Sequence, residues 1–374
     1  MAELPPLTIS ARVALTGDLL GVVQLHPSES VRQLCQALAS LQSGSQRLRV
    51  VHRGHLLPDE EALVDAGLVD KAEVDVVYSP WPMIVAGLEG GAAVVWNAET
   101  GDHVRTFPLN PVMCHSIAFS ADARFALIGC NDGIVNLCDA EAGSHLRMMS
   151  SRGGTVLSVS FSADGTKAIS GLASGIARVW NVSTGACLKT LSRHNGGIHA
   201  TALSAHTLAA VTGGSDGTVK LWAMRSGKCE AVLEGHDGMI LAVSFSPDGQ
   251  LVLSGSFDAS ARLWGAGTGT PLHTLSGHEA AVMAVAFSAD SQRALTGSFD
   301  STARLWDVNS GTCLLTLVGH RDAVRAVAFF PEQELLLTGS ADGSARIWRA
   351  ASGCCAQALA PAEGGRVLAV AGRC

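Results

Sequence analysis

A histidine, a hydroxyl residue and an aspartate recur together along the chain, always in the same order and at the same spacing. His278, Thr296 and Asp300 form one such set. In hydrolases a hydroxyl nucleophile, a histidine base and a carboxylate that orients the histidine act together. Here the set occurs four times, whereas one catalytic centre would be enough for a chain. The repetition therefore favours a structural role for these residues over a catalytic one.

The tryptophans show that the set belongs to a longer repeat of 42 residues. Cys138 occupies the only position of this lattice that lacks a tryptophan. The lattice tryptophans are Trp96, Trp180, Trp222, Trp264, Trp306 and Trp348. The complete sets are His194, Thr212, Asp216 and Trp222; His236, Ser254, Asp258 and Trp264; His278, Thr296, Asp300 and Trp306; and His320, Thr338, Asp342 and Trp348. A fixed period of this length indicates a protein built from structural repeats.

Each repeat has the pattern of short β-strands joined by tight turns. Residues 240–245 and 251–254 have strand composition, and Pro247-Asp248-Gly249 between them is a turn signal. Another strand is predicted over 261–264, after a second turn. Four such strands make a small sheet, and radial packing of several sheets protects their edges.

The repeat resembles that of the WD40 family over residues of about 82 to 374. The clearest copy runs from Gly235-His236 through Phe257-Asp258 to Leu263-Trp264. The resemblance implies an all-β propeller of seven blades, with the histidine, hydroxyl, aspartate and tryptophan of each set hydrogen-bonded between the strands of one blade. Six copies are expected between about 110 and 361. We expect the remaining blade, the first, to combine residues 83–107 with a C-terminal strand at 366–371.

Three blades lack the complete set. The polar slots hold Arg152, Ser170 and Ser174 in the blade of Trp180; Asn110, Ile128 and Asp132 in the blade of Cys138; and Ala86 and Gly90 in the composite blade. We expect these early blades to be the softer part of the ring.

Ten cysteines are present, but no two have Cys-x-x-Cys spacing. Cys187, Cys229, Cys313 and Cys355 are separated by the repeat period or multiples of it. This spacing predicts one recurring, buried slot for a small residue, filled by structural thiols. We expect neither a metal site nor another cofactor.

Residues 1–78 lie outside the repeat and are expected to form a separate domain, followed by a short linker at 79–82. Ser30 and Gln33 have the spacing of a helix capping box, and an apolar stripe of helical period follows them. With the flanking β-rich runs, this order resembles the ubiquitin-like (β-grasp) domains, which are small α+β folds. The resemblance implies a receptor-facing patch, which here would comprise Arg49, Val51, His55 and Val76.

The WD40 resemblance also implies that partners bind on the narrow face of the ring. The implied contact residues start the inner strands or precede the turn aspartates. They are Met239, Leu241, Phe257, Met283, Phe299, Arg325, His199 and His115. The alternative is that Phe257 and Phe299 only follow the repeat consensus, since single exposed apolar residues are common.

Composition and charge argue against several classes of function. The net charge is −7 without a Lys/Arg-rich run, which argues against nucleic-acid binding. We find no apolar run long enough to span a membrane and no secretory signal, so a cytoplasmic or nuclear protein is expected. The sequence has no phosphate loop, metal-ligand cluster or nucleophile elbow, and it suggests no small-molecule substrate.

We therefore predict a non-catalytic scaffold or adaptor that binds proteins or peptides. One alternative is a substrate receptor of a ubiquitin ligase, for which Trp222-Ala223-Met224-Arg225 is the nearest segment to a Trp-Asp-x-Arg docking motif. The other is a ribosome-assembly factor of the Notchless type, in which Asp59-Glu60-Glu61 would be the acidic docking loop.

Overall fold

The computed structural model divides the chain into two compact units, Met1–Trp81 and Pro82–Cys374. The structure describes residues 6–13, 19–39, 47–52, 55–57, 61–66, 68–70, 72–79, 83–88, 92–97, 102–108, 114–120, 124–140, 144–204, 209–330, 335–360 and 366–373.

The first unit is a mixed sheet with one helix. Its elements are β1 (Leu7–Val13), β2 (Leu19–Leu25), α1 (Val31–Ala39), β3 (Arg47–His52), β4 (His55–Leu56) and β5 (Ala72–Ser79). The sheet order is β2-β1-β5-β3-β4, and β1 runs parallel to β5 while the other pairs are antiparallel.

The helix α1 begins at the predicted capping box. The Gln33 side chain accepts a hydrogen bond from the Ser30 backbone N–H at 2.7 Å, and the Ser30 hydroxyl accepts one from the Gln33 N–H at 3.4 Å. These reciprocal bonds satisfy two donors that a helix start leaves open. Leu34 and Leu38 are fully buried and pack in one cluster with Ile9 of β1. The apolar stripe therefore forms the core of this unit.

The second unit is a seven-bladed β-propeller in which each blade has four antiparallel strands. Blade 1 contains β6 (Met83–Leu88), β7 (Ala92–Asn97) and β8 (His103–Pro108); blade 2 contains β9 (Cys114–Phe119), β10 (Phe125–Cys130), β11 (Ile134–Asp139) and β12 (Ser144–Ser150). Blade 3 contains β13 (Val156–Phe161), β14 (Lys167–Leu172), β15 (Ile176–Asn181) and β16 (Cys187–Ser192). Blade 4 contains β17 (Ile198–Leu203), β18 (Ala209–Gly214), β19 (Val219–Ala223) and β20 (Lys228–Leu233).

The remaining blades follow the same plan. Blade 5 contains β21 (Ile240–Phe245), β22 (Leu251–Ser256), β23 (Ala261–Gly265) and β24 (Pro271–Leu275). Blade 6 contains β25 (Val282–Phe287), β26 (Arg293–Ser298), β27 (Ala303–Asp307) and β28 (Cys313–Leu317). Blade 7 contains β29 (Val324–Phe329), β30 (Leu335–Ser340), β31 (Ala345–Arg349) and β32 (Cys355–Leu359).

Blade 1 takes its inner strand from the end of the chain. The strand β33 (Val367–Arg373) pairs antiparallel with β6, with Val370 opposite Ala86. It also packs against the inner strands of its two neighbours, β9 and β29. The seven inner strands therefore form a continuous ring around a central channel.

Neighbouring blades approach closely where the second strand carries a glycine. A Cβ atom on Gly255 would lie 2.7 Å from Cγ1 of Val282 in the next blade, and one on Gly297 would lie 2.7 Å from Cγ1 of Val324. Carbon atoms that are not bonded to each other do not approach this closely. Larger residues at these positions would push the blades apart.

The tryptophans fill the layer between blades. Trp306 of blade 6 is buried in one cluster with Leu253 and Leu263 of blade 5. The large apolar indole of Trp306 thus packs its own blade against the preceding blade.

The recurring cysteines do not occupy the buried slot that their spacing predicts. Cys187, Cys313 and Cys355 are exposed and Cys229 is half-buried. The prediction was wrong because this slot is the first or second residue of each outer strand, which has a sheet neighbour on one side only. A fixed period places equal residues at equal positions, but it does not tell a buried position from an exposed one.

Candidate functional site

The recurring polar set forms a chain of hydrogen bonds inside a blade. In blade 6 the Trp306 indole N–H donates to Thr296 Oγ1 at 2.9 Å. His278 Nε2 lies 2.8 Å from the same hydroxyl, and His278 Nδ1 lies 2.8 Å from Asp300 Oδ2. This series of hydrogen bonds therefore links the third strand, the second strand and the loop before the inner strand.

The direction of the protons follows from the chemistry of the groups. An ionised carboxylate can only accept hydrogen bonds, so His278 Nδ1 carries the proton that Asp300 accepts. Burial lowers the pKa of His278, and this effect outweighs the hydrogen bond with Asp300, which raises it. A neutral His278 must then accept at Nε2 from the Thr296 hydroxyl.

The other complete sets repeat this geometry. The histidine Nδ1 to aspartate distances are 2.9 Å for His194 and Asp216, 2.7 Å for His236 and Asp258, and 3.0 Å for His320 and Asp342. The histidine Nε2 to hydroxyl distances are 2.7 Å to Thr212, 2.8 Å to Ser254 and 2.7 Å to Thr338. The indole N–H groups of Trp222, Trp264 and Trp348 donate to these hydroxyls at 2.8 to 2.9 Å.

These hydroxyls are poorly placed for nucleophilic catalysis. The hydroxyl residues of all four sets, Thr212, Ser254, Thr296 and Thr338, have no exposed surface. Each oxygen also accepts from a tryptophan and bonds a histidine. A nucleophile must reach a substrate atom, so this geometry fits a brace between strands.

A second column of hydroxyl residues supports the aspartates, and it was not among the residues predicted from the sequence. The hydroxyl two residues after each aspartate donates to it; Thr302, for example, lies 2.7 Å from Asp300. Burial acts to raise the pKa of Asp258, but hydrogen bonds from Ser260 and His236 lower it to about 2. The column Thr218, Ser260, Thr302 and Ser344 follows the 42-residue period, so its spacing was the available signal.

Blade 4 differs from the other complete blades by a buried lysine. Lys220 Nζ lies 3.0 Å from Asp216 Oδ2 and 3.3 Å from His194 Nδ1. Arginine occupies this slot in blades 5 to 7, and the guanidinium of Arg346 lies 6.0 Å from the centre of the Trp348 ring. This column of cations was also not among the residues predicted from the sequence.

The early blades retain only parts of the network. In blade 3 Trp180 donates to Ser170 Oγ at 2.9 Å, while Arg152 and Ser174 are exposed. In blade 2 the position of the tryptophan ring is taken by Cys138, and Asn136 Nδ2 donates to Cys130 Sγ at 3.4 Å. Burial raises the pKa of Cys138 to about 12, so this thiol stays protonated. Asn110 and Gly90 lie outside the described residues.

Each inner strand begins, and each second strand ends, at the same end of the propeller. We call this end the upper face. In blade 7 this is the end at which Val324 pairs with Ser340. Three predicted contact residues are exposed there: Phe257 is 61% exposed, Phe299 is 55% exposed and Met239 is 36% exposed. They lie on the neighbouring blades 5 and 6, so the structure brings them to one part of the face.

The other predicted contact residues line the rim of the channel. Leu241, Met283 and Arg325 are half-buried on consecutive blades. His199 of blade 4 is also half-buried, and its Nε2 lies 2.7 Å from Ser215 Oγ. His115 of blade 2 is exposed and hydrogen-bonds Asn131. His115 therefore lies away from the apolar group on blades 5 and 6.

The remaining candidates lie in the first unit. Arg49 and Val51 belong to β3, His55 to β4 and Val76 to β5, but their side chains lie outside the described part of the chain. Asp59 and Glu60 also lie outside the described residues. The patch and the acidic loop therefore stay predictions.

Two cavities along the central channel are lined by described residues of the inner strands. The upper one has a volume of about 290 Å³ and is lined by small side chains of the inner strands together with His199 and Arg325. The lower one has a volume of about 870 Å³ and is lined largely by the ends of the inner strands, including Phe161, Phe245 and Phe287.

Five consecutive segments match the family described as WD40 (WD domain, G-beta repeat). They are residues 143–181, 185–223, 227–265, 269–307 and 311–349, which together make up more than half of the chain. The chain belongs to the WD40 family. In the comparison with curated proteins, no individual sequence matches it.

WD40 propellers are typically non-catalytic platforms that bind other proteins. Within the described residues of this WD40 protein, no group of three or more histidine, cysteine, aspartate or glutamate side chains could hold a metal ion. None of the helices described is long and apolar enough to cross a membrane.

Proposed function

We propose that this WD40 protein is a non-catalytic interaction scaffold that binds partner proteins on the upper face of its propeller. The observation that carries the proposal is the exposure of Phe257, Phe299 and Met239 together on blades 5 and 6. Aromatic residues and methionine are enriched at protein interfaces, and a contiguous exposed apolar patch is typical of a binding site.

The fold itself does not require phenylalanine at these two positions. The equivalent slot holds Ala173 in blade 3, Ser215 in blade 4 and Ala341 in blade 7. Each of these blades keeps its four strands with the smaller residue. Full burial of one phenylalanine against a partner contributes roughly 1.5–3 kcal/mol. Binding therefore accounts for the two rings better than folding does.

The first unit is proposed to be a ubiquitin-like domain that supplies a second contact. Its sheet order β2-β1-β5-β3-β4, the parallel pairing of β1 with β5 and the packed helix α1 support this proposal. The proposed contact patch is Arg49, Val51, His55 and Val76 on β3, β4 and β5.

The test is affinity purification with mass spectrometry, comparing the unmodified protein with a Phe257→Ala/Phe299→Ala double variant. The matched control is Leu272→Ala/Leu314→Ala, because these leucines are each 48% exposed on the outer strands of the same two blades. We expect the phenylalanine variant alone to lose partners. Partners retained by it, or lost equally by the leucine control, would contradict the proposal.

A protein that lacks residues 1–80 tests the second contact. Partners lost with this deletion but kept by the phenylalanine variant would assign them to the first unit. A partner set that the deletion leaves unchanged would contradict a binding role for the ubiquitin-like domain.

A further inference from the structure

The rim of the channel on the upper face is chemically uneven. One residue per blade, the second of each inner strand, forms the rim. From blade 1 to blade 7 these residues are Leu368, His115, Leu157, His199, Leu241, Met283 and Arg325. The apolar residues of blades 5 and 6 thus lie between a histidine on one side and an arginine on the other. The exposed Phe257 and Phe299 directly follow the second strands of the same two blades, at the same face.

The described residues that line the cavity below the rim are neutral or cationic. Its lining consists mainly of alanine, valine, serine and threonine, and His199 and Arg325 are the only ionisable side chains among the described residues that line it. Burial lowers the pKa of His199, so at neutral pH the charge of the cavity comes from Arg325. No carboxylate is among the lining residues in the described part of the chain. The channel mouth is therefore a small cationic site.

Arg325 is not held by the acids of its own blade. Its Nε is buried and has no hydrogen-bond partner among the described residues. Asp322 accepts from the backbone N–H of Ala323 at 2.7 Å, and Asp342 is held by His320 and by its neighbouring backbone and hydroxyl donors. The Nε atoms of Arg178, Arg262, Arg304 and Arg346 are in the same state, so the feature that singles out Arg325 is its position in the cavity lining. A guanidinium has five N–H donors and no acceptor, and Arg325 is therefore the group of this cavity that would pair with an anion.

We propose that the channel mouth binds the carboxylate of an aspartate or glutamate in a partner peptide, whose adjacent apolar side chain contacts Phe257 and Phe299. The proposal rests on the proposed function, because it assigns the chemistry of the partner at the same face. A guanidinium pairs with a carboxylate through two parallel hydrogen bonds, which fixes orientation as well as charge. On the rim Met283 lies between Arg325 and Leu241, so the charge directly adjoins the apolar residues of blades 5 and 6.

The size of the cavity favours one side chain of a peptide as its occupant. A volume of about 290 Å³ is at or below the lower end of the range for small-molecule pockets, which begins at roughly 300 Å³. The surrounding exposed apolar residues would then contact the rest of the peptide. A partner segment with an acidic and an apolar residue fits both features.

The test starts from a library of random dodecapeptides displayed on phage and selected on the full-length protein. We expect the selected peptides to share an acidic residue at a fixed spacing from an aromatic or aliphatic one. Arg325→Gln is expected to weaken the binding of the best synthetic peptide about tenfold or more. An Asp→Asn or Glu→Gln change in the peptide should cause the same loss, and combining it with Arg325→Gln should add little.

Blade 7 offers a matched control in Arg349. This arginine is exposed and pairs with Leu335 at the lower end of the blade, whereas Arg325 lies beside the upper pair of Val324 and Ser340. Arg349→Gln removes the same charge from the same blade, so we expect peptide affinity to stay within about twofold of the unmodified protein. Thermal unfolding of both variants checks that each is folded.

The outcomes separate this inference from the proposed function. Peptides that lose affinity in Phe257→Ala/Phe299→Ala but contain no acidic residue, or ignore Arg325→Gln, would overturn the carboxylate site and leave the scaffold proposal intact. Peptides that bind only when their acidic residue is replaced by phosphothreonine would overturn the carboxylate as the ligand. Peptide binding that is unaffected by either variant would contradict both proposals.

Discussion

Blades 4 to 7 and blades 1 to 3 have the same strand order but differ in the interactions inside each blade. In blade 6 Trp306, Thr296, His278 and Asp300 form an unbroken chain of hydrogen bonds. In blade 3 only the bond from Trp180 to Ser170 has a counterpart. The polar chain is therefore not needed to form a blade.

The difference suggests what the network contributes. Apolar packing and glycine contacts join the blades everywhere, and they are sufficient for a four-stranded sheet. The hydrogen-bonded chain adds fixed partners between strands, and a fully satisfied buried network makes a region rigid. We call blades 4 to 7, which have the complete network, the braced blades. The exposed phenylalanines of the proposed binding face lie in two of them, blades 5 and 6. We therefore expect the binding face to be held by the stiffer blades.

The largest expected loss of stability comes from removing an aspartate of the hydrogen-bonded network. Asp300→Ala removes the acceptor for His278, for the backbone N–H of Glu279 and for Thr302. We expect the free energy of unfolding to fall by about 3 kcal/mol, because a buried polar network is broken. Ser174→Ala changes the equivalent, exposed slot of blade 3 and should cost less than about 0.5 kcal/mol. Equal losses in chemical denaturation would remove the distinction between the two groups of blades.

A smaller effect is expected at the hydroxyl slot. Thr338→Val leaves both the Trp348 indole N–H and His320 Nε2 without their partner, so we expect a loss of about 2 kcal/mol. Ser170→Ala in blade 3 leaves only the Trp180 indole unpaired and should cost about 1 kcal/mol. Denaturation curves of the two variants measure this difference, and a larger loss for Ser170→Ala would contradict it.

Acid should affect the braced blades first. The buried histidines have a lowered pKa in the folded protein, while in the unfolded chain the pKa returns to about 6.5. Below about pH 6.5 the unfolded chain binds more protons, so stability falls by at most about 1.4 kcal/mol per pH unit for each histidine. The lowered pKa of Asp258, about 2, causes a further loss as the pH falls below its ordinary value of 3.8.

Indole N–H exchange followed by NMR can localise this effect. Between pH 7.5 and pH 5.5 we expect protection of Trp264, Trp306 and Trp348 to fall relative to that of Trp180, after correction for intrinsic exchange. Trp180 is the internal control, because its blade has Arg152 in the histidine slot. A uniform change in all four indoles would show that acid acts on the whole ring.

The sequence was sufficient to predict the repeat, but it did not predict every contact within a repeat. A constant period places equal residues at equal positions, so the sequence alone indicates that His278, Thr296 and Asp300 belong together. Seven blades are confirmed, and the strands expected from the β-rich runs are present. The period did not predict which positions are exposed to solvent. The cysteine slot was expected to be buried, but it lies on the outer strands. The Lys220 and Thr218 columns were missed because they are not part of the most obvious motif.

The channel mouth could not be derived from single repeats. Arg325 and His199 belong to blades that are distant in sequence, and only closure of the ring brings them to one cavity. The periodic pattern treats each blade alike, whereas a binding site depends on the residues at which the blades differ. Phe257, Phe299 and Arg325 are such differences, and their role as a binding site stays a prediction.

Hydrogen–deuterium exchange of the second strands tests the central claim most directly. The comparison is β18, β22, β26 and β30 of the braced blades against β6, β10 and β14 of the others. We predict that the braced strands exchange about tenfold or more slowly, which corresponds to about 1.4 kcal/mol of local opening free energy. Equal exchange, or slower exchange in β6, β10 and β14, would contradict a bracing role for the network.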